Sequence, residues 1–181
     1  GDVLSADAAV DITANVVTVT VADGDFGDTD TAAGNAIETD VNDLNVDTSA
    51  NNGDQFIRES DGLVELNLNA GTGDVSLETA ATGDVLSADT AVDITANVVT
   101  VTVADGDFGS TDTTAGNAIE TTATELNVDT SANNGDQFIR ETDGLVELNL
   151  DAGTGDVNLE TAAAGDVLSA DAAVDITANV V

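Results

Sequence analysis

A seventeen-residue stretch, GDVLSADAAVDITANVV, occupies residues 1–17 and recurs unchanged at residues 165–181. A further occurrence at residues 83–99 differs by one residue, with Thr90 in place of Ala8. The starts are 82 residues apart, and residues 1–82 differ from the next 82 at eleven positions, without insertion or deletion. An exact long period is typical of stacked repeats, because one extra residue would break the register between them.

The period divides the chain into a first copy (1–82), a second copy (83–164) and the start of a third (165–181). We expect one continuous structure rather than two tandem globular domains, because a finer repeat runs inside each copy. Since the sequence starts and stops within a repeat, we also expect it to be an internal segment of a longer chain.

The finer repeat consists of short runs in which apolar and polar residues alternate. Such a period of two is typical of β-strands, and Gly-Asp, Asn-Gly and Asp-Gly turn pairs separate the runs. The chain has no proline, which cannot donate to a strand ladder. The runs are DITANVVTVTV at 11–21, DLNVDTS at 43–49, QFIRE at 55–59, LVELNLNA at 63–70 and DVSLETA at 74–80. The pattern therefore predicts an all-β fold.

Spacing within the period suggests how these strands are arranged. Cutting the first copy at equivalent places gives four segments, 1–16, 17–41, 42–62 and 63–82, with lengths of 16, 25, 21 and 20 residues. That length suits one coil of a parallel β-helix. We therefore expect a solenoid with about four coils per repeat, which would rise ~19 Å at ~4.8 Å per coil.

Charge limits the partners of this chain. It has 36 acidic and two basic residues, Arg58 and Arg140, for a net charge of −34. Such a charge repels nucleic acid and anionic membranes. No apolar run approaches the ~20 residues of a membrane span, so we expect no membrane insertion of this segment. Stacked carboxylates would repel one another unless counterions or bridging divalent cations relieve them.

Catalysis finds little support. The absence of His and Cys excludes histidine-assisted nucleophiles and thiolate or imidazole metal sites. Carboxylate pairs are certain to occur by chance among so many acidic residues. A polysaccharide-active enzyme would need a site unique to one copy, and the near-identity of the copies argues against one. We predict that the chain is not an enzyme.

One segment in each copy is a candidate calcium site. Gly-spaced acidic residues can curl around a hard cation that takes several oxygen ligands. The pattern is neither an EF-hand nor a calcium nonapeptide repeat. A solvated loop that binds nothing is the alternative interpretation. The candidate ligands are Asp23, Asp25, Asp28 and Asp30 in the first copy and Asp105, Asp107 and Asp112 in the second, where Ser110 replaces Asp28.

Two further residue types have a structural and an interaction interpretation. We expect Arg58 and Arg140 to pair with carboxylates of a neighbouring strand, the alternative being a contact between filaments. The four phenylalanines, Phe26, Phe56, Phe108 and Phe138, are two positions used twice. We expect them to plug corners or clamp loops rather than to form binding platforms.

Three motifs carry a resemblance to a known family: GNAIET at 34–39, NNGDQFIRESDGL at 51–63 and NAGTGDVSLETA at 69–80, each with its counterpart in the second copy. Together they resemble the repeat region of large bacterial surface proteins of the filamentous-haemagglutinin type. The resemblance covers essentially the whole chain. It implies a right-handed parallel β-helix, export to the cell surface or beyond, and a stalk or adhesin role.

We therefore predict a structural extracellular rod, stalk or filament segment that acts as a stiff acidic spacer. Its expected partners are further repeats of the same chain and neighbouring filaments. One alternative is an adhesin whose side loops, 22–35 and 104–117, bind a cell-surface glycan or protein. Another is a subunit that stacks end to end into a noncovalent fibre.

Overall fold

The structure, a computed structural model, describes residues 1–162 and 165–181. The predicted all-β class is confirmed. No described residue belongs to a helix long and apolar enough to cross a membrane. The strands are β1 (Ile12–Thr20), β2 (Ile37–Asp47), β3 (Gln55–Glu59), β4 (Glu65–Asn69), β5 (Val75–Thr82), β6 (Ile94–Asp105), β7 (Ile119–Asp129), β8 (Gln137–Glu141), β9 (Glu147–Asp151), β10 (Val157–Thr161) and β11 (Ile176–Thr177).

Alternation decides which side chains point inward. In β3, Gln55, Ile57 and Glu59 are buried, whereas Phe56 and Arg58 between them are partly exposed. Successive side chains of a strand point to opposite faces, so a single inward residue fixes the orientation of the rest. Every pairing between the named strands is parallel.

The inward positions form an aliphatic column that crosses most of the molecule. Each member is the register partner of the next, so that the methyl-bearing side chains stack along the ladder direction. The column runs Ile37, Ile57, Leu77, Val101, Val128, Leu150 and Ile176. All but Ile176 are almost fully buried, so this column is the centre of the hydrophobic core.

The predicted right-handed parallel β-helix is wrong. Five strands, β2, β3, β5, β6 and β4, form a closed parallel barrel, and the other strands pair on its outside, so the fold is not an open solenoid. The prediction of about four coils per repeat is wrong for the same reason. The ring closes because two long strands each pair with two others. In β2, residues 37–39 pair with β3 and residues 43–47 with β4. In β6, residues 94–95 pair with β4 and residues 99–103 with β5.

The two copies are joined within the barrel. Strand β5 ends at Thr82, and its residues 75–79 pair with residues 99–103 of β6 in the second copy. Strand β4 of the first copy also pairs with β6, through Leu68 and Ile94. Backbone hydrogen bonds and buried side chains therefore cross the boundary, and the copies share one sheet and one core.

Candidate functional site

A buried glutamate interrupts the core of each copy. Glu59 is fully buried, and the Thr39 hydroxyl donates to its Oε2 at 2.5 Å. The backbone N–H groups of Val41 and Ser60 donate to Oε1 at 3.3 and 3.0 Å. Burial raises the pKa of Glu59, because the charged form is poorly solvated there.

Glu141 repeats this environment in the second copy. It is fully buried and accepts a hydrogen bond from the Thr121 hydroxyl at 2.6 Å. Backbone N–H groups of Thr142 and Asp143 donate to its other oxygen at 3.0 and 3.2 Å. Burial, reinforced by the neighbouring Asp143 carboxyl, raises the pKa of Glu141 to about 7. Each copy thus holds inside its core a carboxyl whose pKa is raised by burial.

Carboxylates gather at three places in the described part of the chain. In each, three acidic side chains have oxygens within 4.8 Å of one another, an arrangement that oxygen-seeking cations such as Ca²⁺ can use. The second and third groups are the same positions, 82 residues apart. The groups are Asp40–Glu59–Asp61, Glu65–Asp89–Asp93 and Glu147–Asp171–Asp175.

The aspartates predicted to bind calcium in the first copy lie elsewhere. Asp23 accepts a hydrogen bond from Asn51 at 3.0 Å, and Asp25 accepts one from the N–H of Asp54 at 2.9 Å. Asp28 is exposed. Asp30 is also exposed, and hydrogen bonds from the Asn35 side chain and the Ala32 N–H lower its pKa. These side chains are not among the three groups found in the described residues.

The second copy repeats this arrangement. Asp105 accepts from the Asn133 side chain, and Asp107 accepts from the N–H of Asp136 at 2.7 Å. Asp112 is exposed and accepts from the N–H of Thr114 at 2.9 Å. Most of these carboxylates therefore accept hydrogen bonds from their own loop or from the turn before the next strand, and calcium binding by them stays a prediction.

Each arginine joins two strands and a loop. Arg58 on β3 donates to Glu78 on β5 and, at 3.3 Å, to the carbonyl of Thr31. Arg140 on β8 pairs with Glu160 on β10 at 3.0 Å and donates to the carbonyl of Thr113 at 3.2 Å. Both contacts lie within the chain, at equivalent places in the two copies.

The phenylalanines lie in or against the core. Phe26 and Phe108 are fully buried and form bridges to Gln55 and Gln137, whereas Phe138 is nearly buried and Phe56 partly so. The backbone at Gly27 runs so close to Phe56 that an added Cβ would lie 2.5 Å from the Phe56 carbonyl oxygen, and Gly27 has a φ of +96°. Only glycine fits there without strain.

A shallow polar groove also occurs once in each copy. Threonine, asparagine and aspartate side chains line it, with a single change of Asn69 to Asp151 between the copies. Its volume is about 370 Å³ in the first copy and about 290 Å³ in the second. The first groove is lined by Thr18, Val19, Thr20, Asn45, Val46, Asp47, Asn67 and Asn69.

Sequence reasoning missed the five buried acids Glu38, Glu59, Asp93, Glu120 and Glu141. The signal for two of them was present in QFIRE, where an inward isoleucine places the residues two positions away on the same face. That signal did not lead to a prediction of burial, because glutamate is rarely buried and because Glu59 adjoins Arg58 in sequence. No comparable signal marks Asp93, which lies just before a strand.

Comparison with known proteins leaves the resemblance untested. No protein-family model, curated protein or solved structure matches the chain. The likeness of its repeats to those of filamentous-haemagglutinin-type surface proteins therefore stays a prediction.

Proposed function

We propose that this chain is a structural segment, a stiff acidic spacer built from repeats that continue into one another. The junction between the copies carries the proposal. Strand β6 of the second copy pairs with β5 and β4 of the first, and the aliphatic column passes from Leu77 to Val101 without a break. A hinge would need a segment with few such contacts, and continuous pairing leaves little freedom to bend here.

The repetition of the same structural features in both copies also favours a mechanical role. The arginine pairs, buried glutamates and polar groove recur at equivalent positions in both copies. A spacer needs length and stiffness, which identical units supply. The net charge of −34 would keep neighbouring molecules apart in solution.

Location and partners form part of the same proposal. We place the segment at the cell surface or outside the cell, as the resemblance of its repeats implies. Its direct partners would be further repeats of the same kind, and the pairing of β5 with β6 across the boundary between the copies supports this proposal.

Small-angle X-ray scattering tests the spacer directly. The chain is compared with a version in which residues 1–164 occur twice in tandem. A stiff spacer should keep its cross-section and roughly double its radius of gyration. If doubling the repeats raised that radius only about 1.3-fold, as for a compact domain, the spacer proposal would fail.

The repeated groove favours a second candidate, a binding module. Its hydroxyl and amide side chains could hydrogen-bond a sugar, and two equivalent grooves would bind a repetitive ligand with avidity. A glycan array probed with the chain and with an Asn45→Ala, Asn127→Ala double variant tests this. Binding lost in the double variant supports the groove, whereas binding that persists there but is lost on replacing loops 22–35 and 104–117 supports the predicted side-loop adhesin.

A further inference from the structure

One ring of strands closes within the described residues, and an equivalent ring does not. In the first ring, β6 lies between β4 and β5 and pairs with both. The second copy repeats the other pairings of that ring, as β7 with β8, β7 with β9 and β8 with β10. Within the described part of the chain β10 pairs with β8 alone, so no strand pairs with both β9 and β10. The second ring therefore lacks one strand.

The segment that contains β11 fills this gap only in part. It pairs with β9 through Ile176 and Thr177, as the start of β6 pairs with β4. It reaches the start of β10 through a hydrogen bond from the Val157 N–H to the Val180 carbonyl, at 2.8 Å. The rest of β10 has no strand on this side among the described residues, and its inward Leu159 is only partly buried.

Strand β1 is built like the missing strand. Its sequence, ITANVVTVT, is also the start of β6. Its register on β2 equals that of β6 on β7, since Ile12 lies opposite Thr39 as Ile94 lies opposite Thr121. Among the described residues β1 pairs with β2 alone, so the edge that β6 presents to β4 and β5 is open in β1. Such an edge is a template for another strand.

Apolar side chains near this open edge are exposed, whereas their counterparts at the junction between the copies are buried. Val3 is 39% exposed, but Val85 is fully buried. Ala14 is exposed, but Ala96 is buried. At the junction the covering strands are β4 and β5, and β9 and β10 have nearly the same sequences as these two. The junction thus indicates what fits the open edge of β1.

We propose that β1 of a second molecule of this chain inserts between β9 and β10 and completes the second ring. The register is that of the junction, with Val17 opposite Val157 and Val19 opposite Leu159. Each molecule offers one surface of each kind, so the contact is head to tail and can be repeated from molecule to molecule. The inference deepens the spacer proposal and rests on its premise that repeats continue into one another. It gives the end-to-end fibre a defined contact.

Insertion displaces residues 165–181, because they have the sequence of residues 1–17 and compete for the same place. The exchange favours β1, since β1 pairs along β10 as far as Leu159 and beyond, whereas β11 pairs with β9 only. Repulsion between two molecules of net charge −34 opposes the contact, and salt screens that repulsion. We therefore expect association in about 1 M NaCl and little at low salt.

Disulfide trapping tests the register, because the chain has no cysteine of its own. Thr18→Cys with Asn158→Cys places the two thiols on facing positions of the contact, as Thr100 faces Ser76 at the junction. Neighbouring strands lie about 4.8 Å apart, which a disulfide spans. Strands β1 and β10 lie at opposite ends of the strand order, so the bond forms between molecules. Oxidation should give a ladder of dimers and longer chains, whereas the out-of-register control Thr13→Cys with Asn158→Cys should stay monomeric.

Two identical substitutions test the displacement. Ile176→Asp loosens the segment that β1 replaces, so sedimentation equilibrium should show association strengthened about tenfold. Ile12→Asp alters the strand that inserts and should weaken association about tenfold. The two isoleucines hold the same position in identical stretches, and both are partly buried. Val3→Asp should also weaken association, whereas the matched control Val64→Asp, at a valine that is 51% exposed and away from β1, should not.

A wild-type chain that stays monomeric at about 1 mM in about 1 M NaCl would overturn the proposal. So would equal crosslinking of the two cysteine pairs, or equal effects of Ile12→Asp and Ile176→Asp, because either would mean association without this register. None of these outcomes affects the spacer proposal, which scattering tests on a covalent tandem chain at low salt. A compact tandem chain would reject the spacer and leave the head-to-tail contact to be decided by crosslinking.

Discussion

The two copies enclose the same buried glutamate in different surroundings. In the first copy, Glu59 has Asp40 and Asp61 as acidic neighbours. In the second copy, Thr122 replaces Asp40, and its hydroxyl hydrogen-bonds that of Thr142, which replaces Ser60. Two of the eleven differences thus meet at one spot.

This difference shows that the fold tolerates two solutions to the same electrostatic problem. One copy keeps a third carboxylate near a buried acid, which adds repulsion unless a cation or proton is bound. The other replaces the charge with a neutral hydroxyl pair. The buried Glu–Thr hydrogen bond is kept in both copies, so it belongs to the common architecture. The two positions beside it, 40 and 60 in the first copy and 122 and 142 in the second, vary; we call them the rim.

The largest expected effect concerns packing rather than charge. Leu77 lies between Ile57 and Val101 and is 1% exposed, whereas its counterpart Leu159 is partly buried and pairs with Ile139. Leu77→Ala should cost about 2–5 kcal/mol, because it leaves a cavity in the column. Leu159→Ala should cost clearly less. Urea unfolding followed by circular dichroism measures both, and equal losses would mean that the column does not carry the junction.

Next in size is a pH effect centred on Glu141. Its folded pKa is about 7, above the ordinary 4.5, so the folded chain holds a proton that the unfolded chain releases. Its contribution to stability is therefore complete below pH ~4.5 and is lost as the pH rises to ~7, a change on the order of 3 kcal/mol.

Glu141→Gln should remove that part of the pH dependence. Urea midpoints of the variant and the wild type between pH 4.5 and 8 would show it as a difference that widens with pH. The same substitution at Glu59, whose pKa is also raised, should act in the same direction. Parallel pH curves for variant and wild type would contradict the buried protonated carboxyl.

Exchanging the rim residues between the copies tests whether their charge difference changes stability. Asp40→Thr with Ser60→Thr gives the first copy the hydroxyl pair of the second, and should stabilise the chain by about 1 kcal/mol at low salt. Thr122→Asp should do the reverse. Because salt screens exposed charges, both effects should shrink in 1 M NaCl. Thermal melts at two ionic strengths measure this, and salt-independent effects would point to packing instead.

The smallest effect should come from the arginines. The Arg58–Glu78 pair is less exposed than Arg140–Glu160, in which the glutamate side chain is 44% exposed. Arg58→Gln should therefore cost about 1 kcal/mol and Arg140→Gln about half of that. Chemical unfolding in low salt would rank them, and a larger loss at Arg140 would reverse the expected order.

Part of this architecture was readable from the sequence. Alternation located the strands, because a period of two is a local property of residues such as those in QFIRE. Closure of the barrel was not readable, since it depends on β2 and β6 each pairing with two partners. No local pattern encodes which half of a long strand meets which neighbour.

The acidic groups show the same limit. The loop aspartates predict a calcium site because they are close in sequence, yet in the structure they accept hydrogen bonds from backbone N–H groups such as those of Asp54 and Thr114. Glu65 and Asp93 are far apart in sequence, and their carboxylates come together only because neighbouring strands pack side by side. Proximity in space across 27 residues, as between Asp93 and Glu120, comes from the ladder and leaves no mark in a sequence window.

The register of the aliphatic column also limits which insertions and deletions the chain can accept. An insertion or deletion of one whole 82-residue unit would leave the spacing of the repeats unchanged. A change of that length keeps every inward residue opposite an inward residue, as Leu77 meets Val101 at the existing boundary. A loss of a single codon inside a strand would instead turn the rest of that strand inside out. The number of repeats can therefore change without altering which side chains face the core.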